Sequence, residues 1–284
     1  MLFGYTKQAY YRQVKTAEDS KLKEWIILDH VLAIRRKMPR LGVRKLHYLL
    51  QPVLEHDGIR CGRDKLFDLL GRKGLLITKR RKYTKTTDSR HWMRKYPNLI
   101  QDMLPTRPEQ VWVADITYVD SEAGHEYLHL ITDAYSKQIM GHELSSNLEA
   151  SSTLKALKMA IRNRKYPNSP LIHHSDRGLQ YCSKIYTDTL NEHSIKISMT
   201  ENGDPYENAI AERVNGILKD EFELGDLPGN LSHNRKLTHE SINIYNRLRP
   251  HLSCRMLTPV QMHAQSQTKI ITWRKKTSRN QVIS

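Results

Sequence analysis

A change of hydrophobic pattern at Gln110 constrains the fold of this 284-residue chain more than any other feature of its sequence. Before this point, apolar residues recur at helical spacing and glycines separate the segments. After it, Val111–Val119 is apolar and β-branched, which is typical of a buried strand. Two more such runs, Tyr127–Ala134 and Gln138–Leu144, follow after tight turns. The three runs are therefore predicted to form an antiparallel meander.

The elements after the meander are predicted to alternate between helices and strands. They are helix 150–163, strand Pro170–His174, helix Tyr181–His193, strand Ile195–Met199 and helix Pro205–Phe222. The resulting order, βββαβαβα, describes an α/β fold with a mixed five-stranded sheet and helices. This layout resembles that of a ribonuclease-H-like core.

The first third of the chain is predicted to be an all-α region. Helices are predicted over Ala17–Arg36, over Val43–Leu54 and from Arg63 to Leu70. Gly42 and Gly58 fall in the turns between them. Short helices that are joined by glycine turns and rich in Arg and Lys are typical of a helix-turn-helix module.

The net charge is concentrated in this first part. Residues 1–108 carry 25 Lys and Arg against 10 Asp and Glu, which is +15 of the formal +16 of the whole chain. Such a charge favours a polyanionic partner, and double-stranded DNA is the first candidate. We therefore interpret Arg60, Arg63 and Lys65, at or near the start of the third helix, as DNA-binding residues. The alternative is a small helical bundle with an ordinary solvated basic face.

A basic linker is predicted after the helices, because Pro97, Pro105 and Pro108 interrupt regular structure there. Its basic run is predicted to contact DNA, and a flexible solvated tether is the alternative. That run consists of Lys79, Arg80, Arg81 and Lys82. The predicted parts of the chain are 1–77, the helical DNA-binding region; 78–108, the linker; 109–265, the α/β core with C-terminal helices; and 266–284, a basic tail.

Three carboxylates occupy positions at which a metal site can form. Asp115 lies in the middle of the first strand, where a buried carboxylate is costly unless a base or a metal partners it. Asp176 ends the fourth strand, at the edge where such sheets bind ligands, and Gly178 permits a sharp turn. Glu212 lies on the last core helix. Three carboxylates suit Mg²⁺, which prefers oxygen ligands, and a pair of such ions can promote in-line displacement at phosphorus.

Each acid also has a structural alternative. Asp115 is also compatible with a strand acid paired to Lys or Arg, Asp176 with an Asx turn, and Glu212 with an exposed helix acid. Glu207 competes with Glu212, but the two are five residues apart and do not share a helix face well. Asp133, at the end of the second strand, is interpreted as a turn cap in preference to a further acid near the site.

Helical spacing adds supporting residues to Glu212. Asn208 precedes it by four residues and Lys219 follows it by seven, so one face combines an acid for metal with a base for DNA phosphate. His174 is interpreted as a supporting hydrogen-bond partner near the second acid. A zinc site at His173 and His174 is disfavoured, because adjacent residues of a strand face opposite sides.

Several short motifs follow one another along the core. They are Trp112–Tyr118 (WVADITY), His174–Tyr181 (HSDRGLQY), Glu207-Asn208-Ala209, Ala211-Glu212, Leu218-Lys219, Tyr245-Asn246, Arg249-Pro250-His251 and Leu257-Thr258-Pro259. In this order they resemble insertion-sequence transposases with a retroviral-integrase core, and residues 30–76 resemble that family's helix-turn-helix. Many relatives carry Asp where Glu207 stands. The zinc module of retroviral integrases is missing from the sequence, which points away from a viral integrase.

This resemblance implies a DDE catalytic triad of Asp115, Asp176 and Glu212 that binds Mg²⁺, with Mn²⁺ as a substitute. It also implies cleavage and joining of DNA at the terminal inverted repeats of an insertion sequence, a circular DNA intermediate, and a homo-oligomer that holds two ends together. A further implied partner is a protein from an upstream reading frame with a coiled coil and a helix-turn-helix, since this chain is predicted to start on a short helix without a heptad run. Arg249 and His251 are candidates for contact with DNA ends, and a turn that packs against the core is the alternative.

Compartment and rival functions complete the sequence-based expectations. The three cysteines form no CxxC pair, and no apolar run approaches the ~20 residues of a membrane span. A cytoplasmic protein associated with the bacterial nucleoid, without a membrane partner, is therefore expected. One rival is a DNA-binding repressor with an inactive core, which the three intact acids disfavour. Another is a ribonuclease-H-like nuclease that acts on RNA–DNA hybrids. The basic first third of the chain favours duplex DNA as the substrate instead.

Overall fold

The computed structural model describes residues 6–78, 93–101, 103–122, 124–201 and 208–271. The chain begins with three helices, α1 (Lys7–Lys37), α2 (Val43–His56) and α3 (Arg63–Arg72). They form the helical domain, whose apolar residues pack into one core. Fully buried members of that core include Val31, Leu41, Leu46, Leu50, Leu66 and Leu70. The predicted order of three helices separated by glycine turns is confirmed.

Helix α1 is much longer than the sequence suggested. It was predicted to start at Ala17 and to be short, but it starts at Lys7, where the Thr6 side chain accepts a hydrogen bond from the Ala9 N–H. Of its 31 residues, only Ile27 and Val31 are buried. The residues before Ala17 have no buried face, so hydrophobic periodicity gave no sign of this part of the helix.

A mixed sheet forms the centre of the second part. In the described residues it has six strands in the order β3-β2-β1-β4-β5, with β6 paired to β1. Strands β1 and β2 and strands β2 and β3 are antiparallel, whereas β4 is parallel to β1 and to β5. The strands are β1 (Val111–Ser121), β2 (Gly124–Asp133), β3 (Ile139–Ser145), β4 (Ile172–Ser175), β5 (Lys196–Met199) and β6 (Asp226–Leu227). The prediction of five strands missed β6, because two residues are too short to show a periodic pattern.

Helices cover both faces of this sheet. They are α4 (Ala150–Arg162), α5 (Leu179–Cys182), α6 (Lys184–Glu192), α7 (Ala209–Glu221), α8 (Leu231–Leu248) and α9 (Pro259–His263). The helix predicted over Tyr181–His193 is wrong in being continuous, since Ser183 has extended backbone and separates α5 from α6. The helix predicted from Pro205 starts at Ala209 among the described residues, and positions 205–207 lie outside them. Together, sheet and helices form a ribonuclease-H-like α/β core beside the helical domain.

Close approach of β3 and α4 depends on Gly141. A Cβ atom at this position would lie 2.0 Å from the carbonyl oxygen of Ala156 and 2.8 Å from the backbone nitrogen of Ala160. Both alanines are fully buried. Only a glycine therefore permits the helix to pack this closely against the strand.

An ion-pair network joins the helical domain to the core. Glu221, the last residue of α7, accepts hydrogen bonds from Lys45 of α2 at 2.8 Å and from Arg249, after α8, at 2.8 Å through each of two guanidinium nitrogens. Its carbonyl oxygen also accepts the N–H of Arg40 at 3.0 Å. Arg249 is 1% exposed. The structure thus places Arg249 in a buried bidentate pair instead of on a surface that meets DNA, because its guanidinium satisfies a carboxylate inside the protein.

Segments on either side of the core pack against it. In the predicted linker, the Pro97 carbonyl accepts from the Met199 N–H at 3.3 Å, and the Leu99 N–H donates to Ser198 at 2.9 Å. In the predicted tail, the Thr268 carbonyl accepts from Tyr135 at 2.7 Å. The basic run Lys79, Arg80, Arg81 and Lys82 lies outside the described residues, as do residues 272–284. Within the described ranges, no helix is both long enough and apolar enough to cross a bilayer.

Candidate active site

The register of two parallel strands brings two of the predicted acids to one level of the sheet. Val111 of β1 pairs with Ile172 of β4, and Val113 pairs with His174. Continuing this register by two residues places Asp115 level with Asp176, one strand away. Neighbouring strands lie about 4.8 Å apart, so the two carboxylates share one edge of the sheet.

Helix α7 runs along β1 and holds it through three side chains. Asn208 donates to the Ala114 carbonyl at 3.1 Å, Asn215 donates to Asp115 Oδ2 at 2.7 Å, and Lys219 donates to Thr117 Oγ1 at 3.1 Å. The spacings of seven and four residues put all three contacts on one helix face. The sequence analysis expected Lys219 to meet DNA phosphate, but the structure directs its ammonium to β1, where the Tyr118 carbonyl also accepts from it.

Glu212 lies on the same face of α7, between Asn208 and Asn215. It occupies the first turn of the helix and is exposed, with its N–H donated to the Asn208 carbonyl at 3.1 Å. A negative charge in the first turn is favourable, because it interacts with the unpaired N–H groups of that helix end. Its competitor Glu207 lies outside the described residues.

The pKa of Asp115 indicates that the other two predicted acids lie near it. The pKa of Asp115 is raised to about 7, first by burial, then by the negative charge of Asp176 and, more weakly, by that of Glu212. Hydrogen bonds from the Ile116 N–H and from Asn215 act in the opposite direction. Like charges raise a carboxyl pKa in this way only at short range.

Asp176 makes the turn contact that was its structural alternative. Its Oδ1 accepts the Gly178 N–H at 3.0 Å, which is an Asx turn. The chain turns here as predicted, but Gly178 has φ −65°, so the turn does not need the left-handed backbone that favours glycine. Its small size matters instead, since a Cβ atom there would lie 3.1 Å from Asp176 Oδ1. This turn contact restrains the Asp176 carboxylate.

The donor set of this site fits a hard divalent cation. Three carboxylates and no histidine or thiolate form the set, which is the chemistry that Mg²⁺ prefers. A cation between them would also offset the charges of Asp176 and Glu212, which together with burial raise the pKa of Asp115. Among the residues that the structure describes, no three acidic, His or Cys side chains are already gathered around a common metal position. The structure therefore brings the acids together without arranging them as a finished ligand cage.

Other predicted residues near the sheet have structural partners. His174 is fully buried and bonds Ser198 on β5 at 2.8 Å, while His173 bonds Tyr186 on α6 at 2.9 Å. The two rings thus face opposite sides of the sheet. Asp133 is fully buried and accepts from the N–H and the hydroxyl of Ser136, both at 2.7 Å, as expected of a turn cap.

Two residues at the site escaped the sequence analysis. Asn215 touches Asp115 directly, and its position three residues after Glu212 on the same helix face was a usable signal. Tyr181 is buried, and its phenol pKa is held well above the usual range by burial and by the charges of Asp176 and Asp115. The Tyr181 phenol is therefore uncharged and lies beside the acids.

The predicted DNA-binding residues of the helical domain lie at its surface. Arg60, Arg63 and Lys65 are all exposed, and Arg63 is the first residue of α3. Arg63 contacts Asp64 at 2.8 Å, in a pair whose side chains are 58% and 83% exposed. Such an exposed pair is weak and leaves the guanidinium accessible to phosphate.

Comparison with known proteins identifies an integrase core domain in this chain. Two models described as integrase core domain match residues 105–205 and residues 193–259. The catalytic core domain of HTLV-2 integrase in complex with magnesium, a solved structure, is similar over 55% of this chain and 97% of that chain, at 20% identity and a TM-score of 0.44. An integrase-type sheet with this site defines an enzyme of the DDE polynucleotidyl transferase class.

Proteins of similar sequence identify the family within this enzyme class. The 31 kDa protein of insertion element IS600 from Shigella sonnei is 36% identical over an alignment of 274 residues, which covers 91% of this chain and 94% of that protein. Transposase InsF for insertion sequence IS3A from Escherichia coli is 34% identical over 194 residues, 68% of this chain and 67% of InsF. The chain belongs to the family of insertion-sequence transposases with an integrase catalytic core.

Proposed function

We propose that this chain catalyses Mg²⁺-dependent strand cleavage and strand transfer at the terminal inverted repeats of an insertion sequence. The observation that carries the proposal is the proximity of Asp115 to Asp176 and Glu212: burial first, and then the negative charges of these two acids, raise the pKa of Asp115 to about 7. Mutually repelling carboxylates at a sheet edge are costly, and binding of divalent cations explains why they are kept together.

The residues of the chain have separate tasks in this proposal. Asp115, Asp176 and Glu212 would hold Mg²⁺, which activates the attacking oxygen and stabilises the leaving oxygen of an in-line displacement. Asn215 orients Asp115 through its 2.7 Å hydrogen bond. The Gly178 N–H orients Asp176 at 3.0 Å. Both acids are therefore held in place before DNA arrives, which lowers the cost of assembling the site.

Double-stranded DNA is the proposed partner of the helical domain. Its first three candidate contacts, Arg60, Arg63 and Lys65, are exposed around the start of α3, where helix N–H groups also favour phosphate. The sequence adds the basic run of residues 79–82 to this surface. A homo-oligomer that holds two element ends, and an upstream-frame protein with a coiled coil and helix-turn-helix, are further proposed partners on the strength of the family resemblance.

The test is cleavage of an inverted-repeat duplex by three single variants. Asp115→Asn, Asp176→Asn and Glu212→Gln should each abolish nicking and joining in Mg²⁺ while binding of the duplex is retained, since charge is removed with little change of shape. Gel assays of cleavage and a binding titration measure the two effects separately. Glu207→Gln is the matched control and should reduce cleavage far less.

Three outcomes contradict the proposal. Full turnover in any of the three variants removes that residue from the triad. Absence of all cleavage and joining by the wild-type chain, with any upstream-frame protein supplied, favours a DNA-binding repressor. Faster cleavage of an RNA–DNA hybrid than of duplex DNA favours a ribonuclease-H-like nuclease instead.

A further inference from the structure

An open cavity lies between the helical domain and the core. Its volume is about 590 Å³, and its walls come from the start of α2, from α3, from the segment after α3 and from Leu252 of the core. A volume of this size is typical of cavities that hold a small ligand. The proposed catalytic acids are not among its described lining residues, so it is a separate place on the molecule.

Apolar side chains line part of this cavity and remain accessible. Phe67 is 51% exposed, and Ile77 and Leu252 are each 37% exposed. Single exposed apolar residues are common on protein surfaces, but several that share one concave site mark a place where a ligand binds. Phe67 is the one aromatic residue among the described lining residues, and an aromatic ring offers a flat surface for stacking.

The charged residues of the lining give the cavity an excess of positive charge. Arg44, Lys45 and Arg63 stand against the single acid Asp64. Lys45 is engaged by Glu221 at 2.8 Å, and Arg63 forms only the weak exposed pair with Asp64. Arg44 is exposed and makes no ion pair with another described residue. Two accessible guanidinium groups therefore favour an anion, and a phosphate suits their planar donors.

The aromatic ring and the cations lie close together. Arg63 and Phe67 are four residues apart on α3, which makes them neighbours on the helix surface. Helix α2 also begins at the cavity, and its N-cap Gly42 offers no side chain to the N–H groups of the first turn, which add to the attraction for phosphate. An aromatic residue beside basic groups is the arrangement with which proteins bind unpaired nucleotides, since the base stacks and the phosphate pairs.

We propose that this cavity binds one unpaired nucleotide of the DNA end, with its base on Phe67 and its phosphate at Arg44 and Arg63. The inference rests on the proposed function, in which the helical domain binds duplex DNA and the core cuts a strand. A base within a duplex is covered on both faces by its neighbours, so it must leave the stack to enter a cavity. This step costs least for a nucleotide that is already unpaired.

The position of the cavity suits a strand that passes from the helical domain to the core. In the sequence, the wall residue Ile77 is followed closely by the basic run of residues 79–82, a proposed DNA contact. On the other side, the wall residue Lys45 is bonded to Glu221 of α7, the helix that carries Glu212. A nucleotide bound here would therefore anchor the unpaired strand between the part that binds duplex and the part that cuts.

Fluorescence anisotropy of a labelled short oligothymidylate, with the full chain and without Mg²⁺, tests the stacking. Phe67→Ala should weaken binding of this single strand about tenfold, and Phe67→Trp should retain it, because the contact needs an aromatic face. Binding of a blunt, fully paired duplex should be the same for Phe67→Ala and wild type. Tyr10→Ala is the matched control, since Tyr10 is a 60% exposed aromatic residue of α1 that does not line the cavity.

The salt dependence of the same binding tests the phosphate contact. Arg44→Gln should reduce the slope of log affinity against log salt by about 0.7, because one contact with a single-stranded phosphate is lost. Phe67→Ala should leave this slope unchanged, since stacking releases no counterion. Arg12→Gln, at an exposed position of α1 outside the cavity, is the control. Far-UV circular dichroism checks that every variant remains folded.

Photo-crosslinking locates the base directly. An oligonucleotide with 5-iodouracil as its unpaired base should crosslink to the peptide that contains Phe67. Equal affinity of Phe67→Ala and wild type for the single strand, an equal loss on the paired duplex, or crosslinks only outside residues 63–77 would each overturn the inference. A wild-type chain that binds the single strand through Phe67 but cuts no DNA would support the inference and contradict the proposed function.

Discussion

Asn215 contacts one of the proposed catalytic acids directly, and the sequence analysis did not predict this contact. Its amide donates to Asp115 Oδ2 at 2.7 Å from a helix that also carries Glu212. This hydrogen bond therefore orients the Asp115 carboxylate and also holds α7 against β1. Outer partners of this kind commonly affect metal affinity or activity by about 10–100-fold when removed.

Asn215→Ala should lower strand cleavage by about 10–100-fold while duplex binding and folding are retained, because Asp115 loses the group that orients it. Cleavage rates at several Mg²⁺ concentrations measure the effect, and excess Mg²⁺ should restore part of the loss. Asn191→Ala, at an exposed helix position, is the control. Wild-type rates for Asn215→Ala would show that Asp115 needs no such orientation.

At the scale of single residues, the sequence predicted those site residues that a charge within or at the end of an apolar strand can reveal. Asp115 was identifiable because a carboxylate interrupts an apolar strand, and Asp176 because it ends one. Arg249 was not, since an Arg before Pro gives no sign of the distant Glu221 that it binds. Lys219 was placed on the correct helix face, but the backbone carbonyl it meets is invisible in a sequence.

At the scale of elements, the contact between β3 and α4 leaves no room for an added side-chain atom at Gly141. Replacement of Gly141 by Ala places a Cβ atom 2.0 Å from a backbone oxygen of α4, which cannot move as a flexible side chain would. Gly141→Ala should lower the free energy of unfolding by about 3 kcal/mol or more. Urea denaturation measures this loss.

Gly62→Ala is the control for that substitution, because nothing lies within 4 Å of its Cβ position and its φ is −73°. Because Gly62 is the N-cap of α3, where alanine is a poorer cap than glycine, the effect should stay within about 1 kcal/mol. Equal stability of Gly141→Ala and wild type would mean that α4 sits farther from β3 than the structure shows.

A buried charge cluster joins the start of β1, the end of β2 and helix α9. His263 lies 3.3 Å from Glu109 and 3.7 Å from Asp133, and Arg164 contacts Glu109 at 3.0 Å. Burial lowers the pKa of His263, but hydrogen bonds to Asp133 and Glu109 outweigh it and raise that pKa to about 9. The folded state thus holds a proton that the unfolded chain releases near its ordinary pKa of 6.5.

Because the folded pKa lies above the unfolded one, the stability from His263 is complete below about pH 6.5 and is lost as pH rises through 9. Two to three units of pKa correspond to roughly 3 kcal/mol. Denaturation midpoints between pH 6 and 9.5 should fall for the wild type and fall much less for His263→Gln. Exposed His193→Gln should behave like the wild type, and a flat wild-type profile would refute the assignment.

Element boundaries show where periodicity stops being informative. The meander and the alternating half were predictable, because their strands alternate or run apolar between clear turns. The break at Ser183, the two-residue β6 and the first ten residues of α1 were not, since each depends on tertiary contacts or on exposure and not on local pattern.

At the scale of the whole molecule, Glu221 is the main polar connection between the helical domain and the core. Burial raises its pKa, but the Arg249 hydrogen bond and the charges of Arg249 and Lys45 lower it overall, so the group is held ionised. Removal of its charge leaves two largely buried cations, Lys45 and Arg249, without their shared counter-charge. Loss of one member of a buried ion pair is costly.

Glu221→Gln should therefore lower the free energy of unfolding by about 3 kcal/mol, and the helical domain should unfold in a separate, earlier transition. Guanidinium chloride titration followed by fluorescence and by circular dichroism detects both effects. Glu240→Gln, exposed on α8, is the control. One shared transition at unchanged stability would show that the domains are held together by apolar contacts alone.

Through Glu221, helix α7 connects the helical domain to Glu212. Glu212 and Glu221 stand nine residues apart on one helix, a rigid arm of about 14 Å. A tilt of α7 by only ~5° about Glu221 displaces Glu212 by about 1 Å. A displacement of this size is enough to change a reaction rate about a hundredfold. In the proposed function, the position that the helical domain takes on a DNA end would therefore affect the placement of Glu212 in the core.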